Sequence, residues 1–252
     1  FKRVSEYLSK LVESGHIEKP FIENSYKKHL YSKNGDSDKN ISALYSDNKK
    51  YTNNYNSLRC AVVTPVGPGH ENLYKECVES VKKASASNKG KFVDIIHIII
   101  DDTEGKIGRS NARNIGIKKA SDSGADWIFF LDADDIIMPF VFEYVTPYLD
   151  RYDGIWGSIW TIESEDPEPK ERPRQLPFIY NFDELFYCDP FLTLQMGHFV
   201  KTSAALDTPF NENLDAGEDF EYYLRIWRKY TCIKIPLPFF YNRRGLHSKG
   251  AR

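Results

Sequence analysis

Three short apolar runs that break off in acid or in proline and glycine restrict this chain more than any other feature. Residues 60–65 (Cys-Ala-Val-Val-Thr-Pro) run into Gly67, Pro68 and Gly69, residues 93–100 stop at Asp101-Asp102, and residues 127–131 stop at Asp132. Each has the length and β-branched or aromatic content of a buried strand. Between them, residues 73–86 carry Leu73, Cys77, Val78 and Val81 on one helical face, and residues 111–120 read as a second helix. Strand, helix, strand, helix, strand predicts an α/β fold with parallel strands and crossover helices. In open sheets of this kind the ligand crevice lies beyond the carboxyl ends of the strands. Asp101-Asp102 and the cluster from Asp132 to Asp135 fall at two such ends and are therefore expected at one site.

The rest of the chain sets bounds. A length of 252 residues suits one sizeable α/β domain with an appendage. A net charge of -2 gives no overall pull toward nucleic acid, which is not an expected partner. The four cysteines form no C-x-x-C pair, which predicts neither a zinc site nor a disulfide framework and fits a reducing cytoplasm. No apolar stretch approaches the roughly 18–20 residues that span a bilayer. The chain opens on Phe1 and reads as a fragment whose missing part has room for a membrane anchor. Peripheral association with the inner face of the membrane is therefore kept beside a cytoplasmic location; oligomeric state is left open. Residues 1–57 form the expected appendage, an amphipathic helix (Phe1, Val4, Leu8, Leu11, Val12) followed by a polar linker with few aliphatics.

Asp132-Ala133-Asp134 after an apolar strand is a compact set of oxygen ligands for a hard divalent cation, Mg2+ or Mn2+, shared with phosphate oxygens. On its own the pattern is equally a helix N-cap, with Asp135 capping the segment that enters Pro139. The neighbouring motifs decide between these. Asp101-Asp102-Thr103-Glu104-Gly105, then Gly108-Arg109-Ser110-Asn111-Ala112-Arg113-Asn114-Ile115-Gly116, then the strand ending Leu131-Asp132-Ala133-Asp134-Asp135 resemble, in order, the family-two inverting glycosyltransferases of the GT-A type. The opening run to Val66 is similar to that family's first strand. Asn211-Glu212 with Ala216-Gly217-Glu218-Asp219 resembles its acceptor-side segment, and Arg243 to Ser248 its final Arg-x-His-x-x-Ser region. The resemblance covers residues 58–250, so a GT-A domain is expected over 58–252, with a mostly parallel central sheet flanked by helices. Thr103-Glu104 departs from the family's usual Gly-Ser, which bears on the loop conformation.

The resemblance implies a transferase that moves a sugar from a nucleotide-diphospho-sugar donor, UDP by family habit, to a hydroxyl of a saccharide or glycoconjugate acceptor, with inversion, in surface polysaccharide or glycan synthesis. Thr64 and Pro65 would lie at the nucleotide end of the first strand, with Asp101 or Asp102 on the base edge and Arg113 shaping the nucleotide side. Asp132 and Ala133 would line the donor, Asp132 touching ribose or metal, and Asp134 would be the main metal ligand. His247 would be a further metal or diphosphate ligand, and Arg243 or Arg244 would pair with phosphate. Asp219 would be the general base, with Glu218 as the second choice. Phe220, Tyr223, Leu224 and Trp227 have helical spacing, so residues 217–219 open an amphipathic helix. The helix dipole there lowers a carboxylate pKa, and a strong base needs burial to raise it again.

Three further readings are open to test. Trp156 and Trp160 are core or sugar-stacking residues, His198 is an acceptor contact or a core histidine, and residues 166–174 form a mobile loop over the acceptor site. The rival functions are a sugar-phosphate nucleotidyltransferase, a phosphatase with an Asp nucleophile, and a non-catalytic sugar- or partner-binding module on the same fold. Gly67-Pro68-Gly69-His70 is too short and proline-blocked for the phosphate loop that a nucleotidyltransferase would want. The phosphatase would carry its D-x-D after the first strand rather than a later one. The coexistence of Asp132/Asp134 with Glu218-Asp219 argues against the binding module.

Overall fold

The computed structural model describes residues 58–214 and 216–244. The expected N-terminal helix and linker (1–57) and His247 lie outside the described residues.

Strand β1 (Leu58–Val66), helix α1 (Leu73–Ala86), strand β2 (Phe92–Asp101), helix α2 (Arg109–Asp122) and strand β3 (Trp127–Phe130) follow the alternation expected from the sequence. β1 pairs in parallel with β2 on one side and β3 on the other, so the three strands end at a common edge. Then come β4 (Ile136–Ile137), α3 (Val141–Val145), β5 (Gly154–Glu163), β6 (Asp166–Glu171), α4 (Pro190–Thr193), β7 (His198–Lys201), α5 (Thr202–Asp207), α6 (Glu218–Lys229) and β8 (Cys232–Arg244). The sheet order is β2-β1-β3-β7-β5-β8-β4, with β6 paired to β5. The half that begins the chain is parallel. The other half is mixed: β7 runs antiparallel to both β3 and β5, whereas β5 and β8 are parallel.

Alternation of side chains gives the sheet two dry faces. Ala61, Val63, Ile128, Phe130, Trp156 and Val200 face one core, which Tyr222, Tyr223, Ile226 and Trp227 of α6 help to close. On the other face Phe129, Phe142, Phe199 and Phe239 pack ring on ring, with centroids 4.6 to 6.5 Å apart. Cys60 and Cys232 are buried and free, as small core residues.

α2 lies close against β1 because residue 116 is glycine. A Cβ there would sit 2.3 Å from Cγ1 of Val63, too near for any side chain without displacing helix or strand. The glycine of the Ala-Arg-Asn-x-Gly motif thus fixes how near the helix and its Arg113 come to the strand ends.

One expectation is corrected here, and the open readings of three side chains are decided in favour of the core. Residues 166–171 are not a loop but β6, an edge strand in which Thr161 faces Lys170 and Glu163 faces Asp166. Trp156 and Trp160 are 1% and 3% exposed, which makes both core residues and not a sugar platform. His198 has no exposed surface: its ring stacks on Trp156 (4.3 Å, 7°), and burial, with the nearby Arg113 charge, pushes its pKa well below the usual histidine value. It is a neutral core histidine and does not line an acceptor surface. Among the described residues, no helix is long and apolar enough to cross a membrane.

Candidate active site

Leu131 leaves β3 hydrogen-bonded to β1 (Leu131 N to Val63 O, 3.0 Å), and the chain turns at once, with Asp135 N donating to Asp132 O at 3.0 Å. The tight turn gathers the carboxylates of Asp132, Asp134 and Asp135, whose ligand atoms lie within 4.8 Å of one another. Asp132 and Asp134 are half-buried, whereas Asp135 is 1% exposed. Burial, and then the charges of Asp134 and Asp132, push the Asp135 carboxyl well above the usual carboxylate range. Its Oδ1 accepts from Asn242 Nδ2 and Arg243 N, each at 3.1 Å; its buried Oδ2 has no hydrogen-bond partner among the described residues. Asp135 therefore ties the turn to β8 and does not cap the segment entering Pro139.

A divalent cation fits this cluster. Three carboxylates gathered at one turn, one with an unsatisfied buried oxygen, are a high-energy arrangement that a hard cation relieves. The set is all-oxygen with solvent access on one side, which leaves room for phosphate ligands.

Arg113 joins the cluster to the other half of the molecule. It is 5% exposed on α2, and its two terminal nitrogens each donate at 2.9 Å, one to Asp132 Oδ1 and the other to Glu218 Oε1. Glu218, 2% exposed in the first turn of α6, is thereby committed to Arg113, with Arg109 3.6 Å away. The next residue, Asp219, is half-buried, and desolvation followed by the adjacent Glu218 charge raises its pKa. Those two effects outweigh the amide of Phe220 and the charge of Arg113, which act to lower it. The dipole objection raised by the sequence is thus met by burial. Gly217, at φ 74°, turns the chain into α6 in a conformation that favours glycine.

Asn114, next in the same motif, holds the segment that precedes α6. Its Nδ2 donates to Phe210 O (3.0 Å) and Glu212 Oε1 (2.9 Å), and its Oδ1 accepts from Phe210 N (2.8 Å). Two consecutive residues of one helix thus position the carboxylate turn, the start of α6 and the chain leading to it.

At the end of β2 the two aspartates divide their work. Asp102, 7% exposed, receives Ile107 N and Gly108 N at 2.8 and 2.9 Å and shapes the loop that begins α2. Asp101 is exposed, and only its Oδ1 is engaged, by the amide and hydroxyl of Thr103 at 3.0 and 2.8 Å, bonds that hold its pKa below the usual value. Thr103, which departs from the family pattern, therefore closes this turn itself. Thr64 is fully buried with its hydroxyl bonded to His97 Nε2 at 3.0 Å, so its side chain belongs to the sheet. Pro65 is half-buried at the strand end, and Ala133 is buried within the turn.

Arg243 does not point at a phosphate site. It is 3% exposed and clamps the turn from behind: Nη1 donates to Glu76 Oε2 (2.9 Å), Nη2 to Leu73 O (3.0 Å) and Nε to Asp134 O. This clamp, and His70 beside Asp134 (3.8 Å), are what sequence reasoning missed. His70 sits in Gly67-Pro68-Gly69-His70, a stretch whose local pattern bears only on phosphate-loop chemistry and does not report its nearness to Asp134.

The model of a protein family described as "Glycosyl transferase family 2" matches residues 75–208, from α1 to the end of α5. The chain belongs to this family. The match contains the β2 aspartates, the Arg113-Asn114 motif and the whole carboxylate turn. Among solved structures, the chain is similar to S. aureus TarS 1-349 (TM-score 0.56, 14% identity, 74% of this chain and 60% of that one). It is also similar to TarS 1-349 in complex with UDP-GlcNAc (TM-score 0.58, 14% identity, 77% and 62%). The chain thus spans about three-fifths of the TarS 1-349 structures. At that identity the likeness shows the fold, which is GT-A. No curated protein matches the sequence.

Proposed function

We propose that this family 2 glycosyltransferase moves a sugar from a nucleoside-diphosphate donor, UDP-linked by analogy with the UDP-GlcNAc complex of TarS, to an acceptor hydroxyl with inversion. The acceptor is a saccharide or glycoconjugate, as in surface polysaccharide or glycan synthesis. The observation that carries this reading is the Arg113 bridge. It brings the carboxylate cluster, suited to a diphosphate with its cation, and the start of α6, which holds a carboxylate of raised pKa, to one edge of the sheet.

Asp101 is the accessible carboxylate for the base edge, since both oxygens of Asp102 are engaged by its own loop. Asp132 and Asp134 would hold Mn2+ or Mg2+, with Asp135 behind them; the bound cation supplies charge neutralisation for the departing diphosphate. Asp219 accepts the proton of the acceptor hydroxyl as that oxygen bonds to the anomeric carbon. The bond from that carbon to the diphosphate oxygen breaks on the opposite face and carries its electron pair away with the nucleotide. A carboxylate whose pKa is raised by burial is a better base than a solvated one. Glu218 is not the base in this reading: its charge is compensated by Arg113, and it acts by holding the start of α6 in place.

A thermal-shift screen of nucleotide sugars with Mn2+, followed by donor hydrolysis with wild type, Asp134→Ala and Asp219→Asn, tests this. Asp134→Ala should lose Mn2+-dependent donor binding, while Asp219→Asn should keep binding and lose most turnover, about 100-fold or more. A wild-type protein that neither binds nor hydrolyses any nucleotide sugar would rule the reading out.

A further inference from the structure

We infer that His70 is a ligand to the catalytic cation, and that through it the site selects Mn2+ over Mg2+. The inference rests on the proposed cation site at Asp132 to Asp135 and adds to it a residue from the opposite wall, the loop that leaves β1.

The first observation is reach. His70 Nε2 lies 3.8 Å from Asp134 Oδ2. Two ligand atoms each roughly 2.1 Å from one ion can be at most about 4.2 Å apart, so one cation can reach both atoms, with a small side-chain adjustment needed to bring them to octahedral angles.

The second is the orientation of the ring. His70 Nδ1 lies 3.3 Å from the carbonyl oxygen of Gly67, which can only accept a hydrogen bond. If the ring is neutral, Nδ1 is therefore its protonated nitrogen, and Nε2, the atom facing Asp134, carries the lone pair. A histidine whose far nitrogen donates to a carbonyl is the usual arrangement of a metal ligand, since that bond sets both tautomer and ring angle.

The third is rigidity. The backbone of His70 closes a turn, with its amide donating to Gly67 O (3.3 Å) and its carbonyl accepting from Tyr74 N (2.9 Å) at the start of α1. Gly69, at φ 81°, permits that turn. The facing residue is equally fixed, because Arg243 Nε holds the carbonyl of Asp134 and Asp135 is tied to β8.

A nitrogen ligand has a consequence for metal choice. Mg2+ takes oxygen ligands in near-ideal octahedral geometry and gains least from a nitrogen ligand, whereas Mn2+, though also an oxygen-preferring ion, tolerates one better. Carboxylates alone would discriminate little, so a His70 ligand tilts the site from Mg2+ toward Mn2+. The competing account is a plain ion pair of protonated His70 with Asp134, which puts no nitrogen on the metal.

The test uses the full chain with Mn2+ alone and with Mn2+ plus UDP. Pulsed EPR of bound Mn2+ should show modulation from a coordinated nitrogen. His70→Asn, whose amide can still donate to Gly67 O, should lose that modulation with metal-free thermal stability unchanged. Its Mn2+ affinity should fall about tenfold or more, while Mg2+ affinity changes less than about twofold. His247→Asn serves as the comparison. Modulation that survives His70→Asn, or that only His247→Asn removes, overturns the inference, as does an equal loss of Mn2+ and Mg2+ affinity. Mn2+ that binds with no nitrogen coupling refutes the His70 ligand but leaves the carboxylate site standing. Mn2+ that does not bind wild type with or without UDP removes both.

Discussion

Replacing Arg113 with methionine should cost more stability than replacing its partner Glu218 with glutamine, and the two changes should be strongly coupled. Arg113 is buried between two carboxylates at 2.9 Å, and Glu218 is 2% exposed with only the half-exposed Arg109, 3.6 Å away, as a second cation. Arg113→Met leaves a buried charge without its main partner, a loss of about 3–5 kcal/mol. Glu218→Gln keeps a hydrogen-bond acceptor, and the arginine retains Asp132, so the loss should be about 1–2 kcal/mol. Glu218→Gln combined with Arg113→Met removes the uncompensated charge and should recover about 2 kcal/mol relative to the sum of the single changes. Urea unfolding of the four proteins, with donor hydrolysis on each, gives the cycle. Mn2+–UDP binding should survive Arg113→Met, because the Asp132 and Asp134 carboxylates remain, whereas turnover should fall as the start of α6 loosens around Asp219. An Arg113→Met loss below about 1 kcal/mol, or additive single changes, would refute the view that this bridge holds the two halves of the site together.

Three other changes follow from the same packing. Gly116→Ala should destabilise by about 1–3 kcal/mol in urea unfolding, since the new methyl meets Val63 at 2.3 Å; an unchanged midpoint would mean that α2 does not sit that close. Asp135→Asn should raise the metal-free melting temperature by relieving a buried carboxylate cluster, and should shrink the further stabilisation that Mn2+ brings; differential scanning calorimetry with and without Mn2+ reads both. Lys234 has no exposed surface and donates to Gly157 O, Gln175 Oε1 and Thr193 O, and burial lowers its pKa from 10.5 to about 7. Between those two values the unfolded chain carries a proton that the folded one lacks. Stability should therefore rise with pH from about 7 toward 10.5, by at most about 1.4 kcal/mol per pH unit from this group. Below pH 7 both states are protonated and this contribution is flat. Lys234→Met should remove that part of the slope, and an identical pH profile in the variant would contradict the assignment.

What the sequence by itself determined is the alternation of elements and the edge at which the acids collect. Residues 93–100 and 127–131 are too short and too β-branched or aromatic for anything but strands, and parallel pairing puts Asp101-Asp102 and the Asp132 turn at the same edge. The burial expected of both holds for β3, whereas β2 lies at the edge of the sheet with Val93 54% exposed. Motif order carried the family, because Arg113, Asn114 and the aspartates keep their spacing along the chain. Local patterns do not report what a side chain meets from elsewhere in the chain, and that is where the tertiary structure decided. Arg113 meets Glu218, 105 residues away, and so separates Glu218, the compensated anchor, from Asp219, the candidate base. Trp156, Trp160 and His198 have side chains equally suited to binding sugar or filling a core, and only packing showed that they fill it. Residues 166–171 look like a loop by composition, yet they pair as an edge strand because β5 offers open hydrogen bonds. Finally, Asp132 to Asp135 read as three similar acids, and the fold made them different. Asp132 bonds to Arg113 and Asp134 faces His70, while Asp135 is buried against β8 because its turn leaves the sheet directly into the packed layer beside that strand.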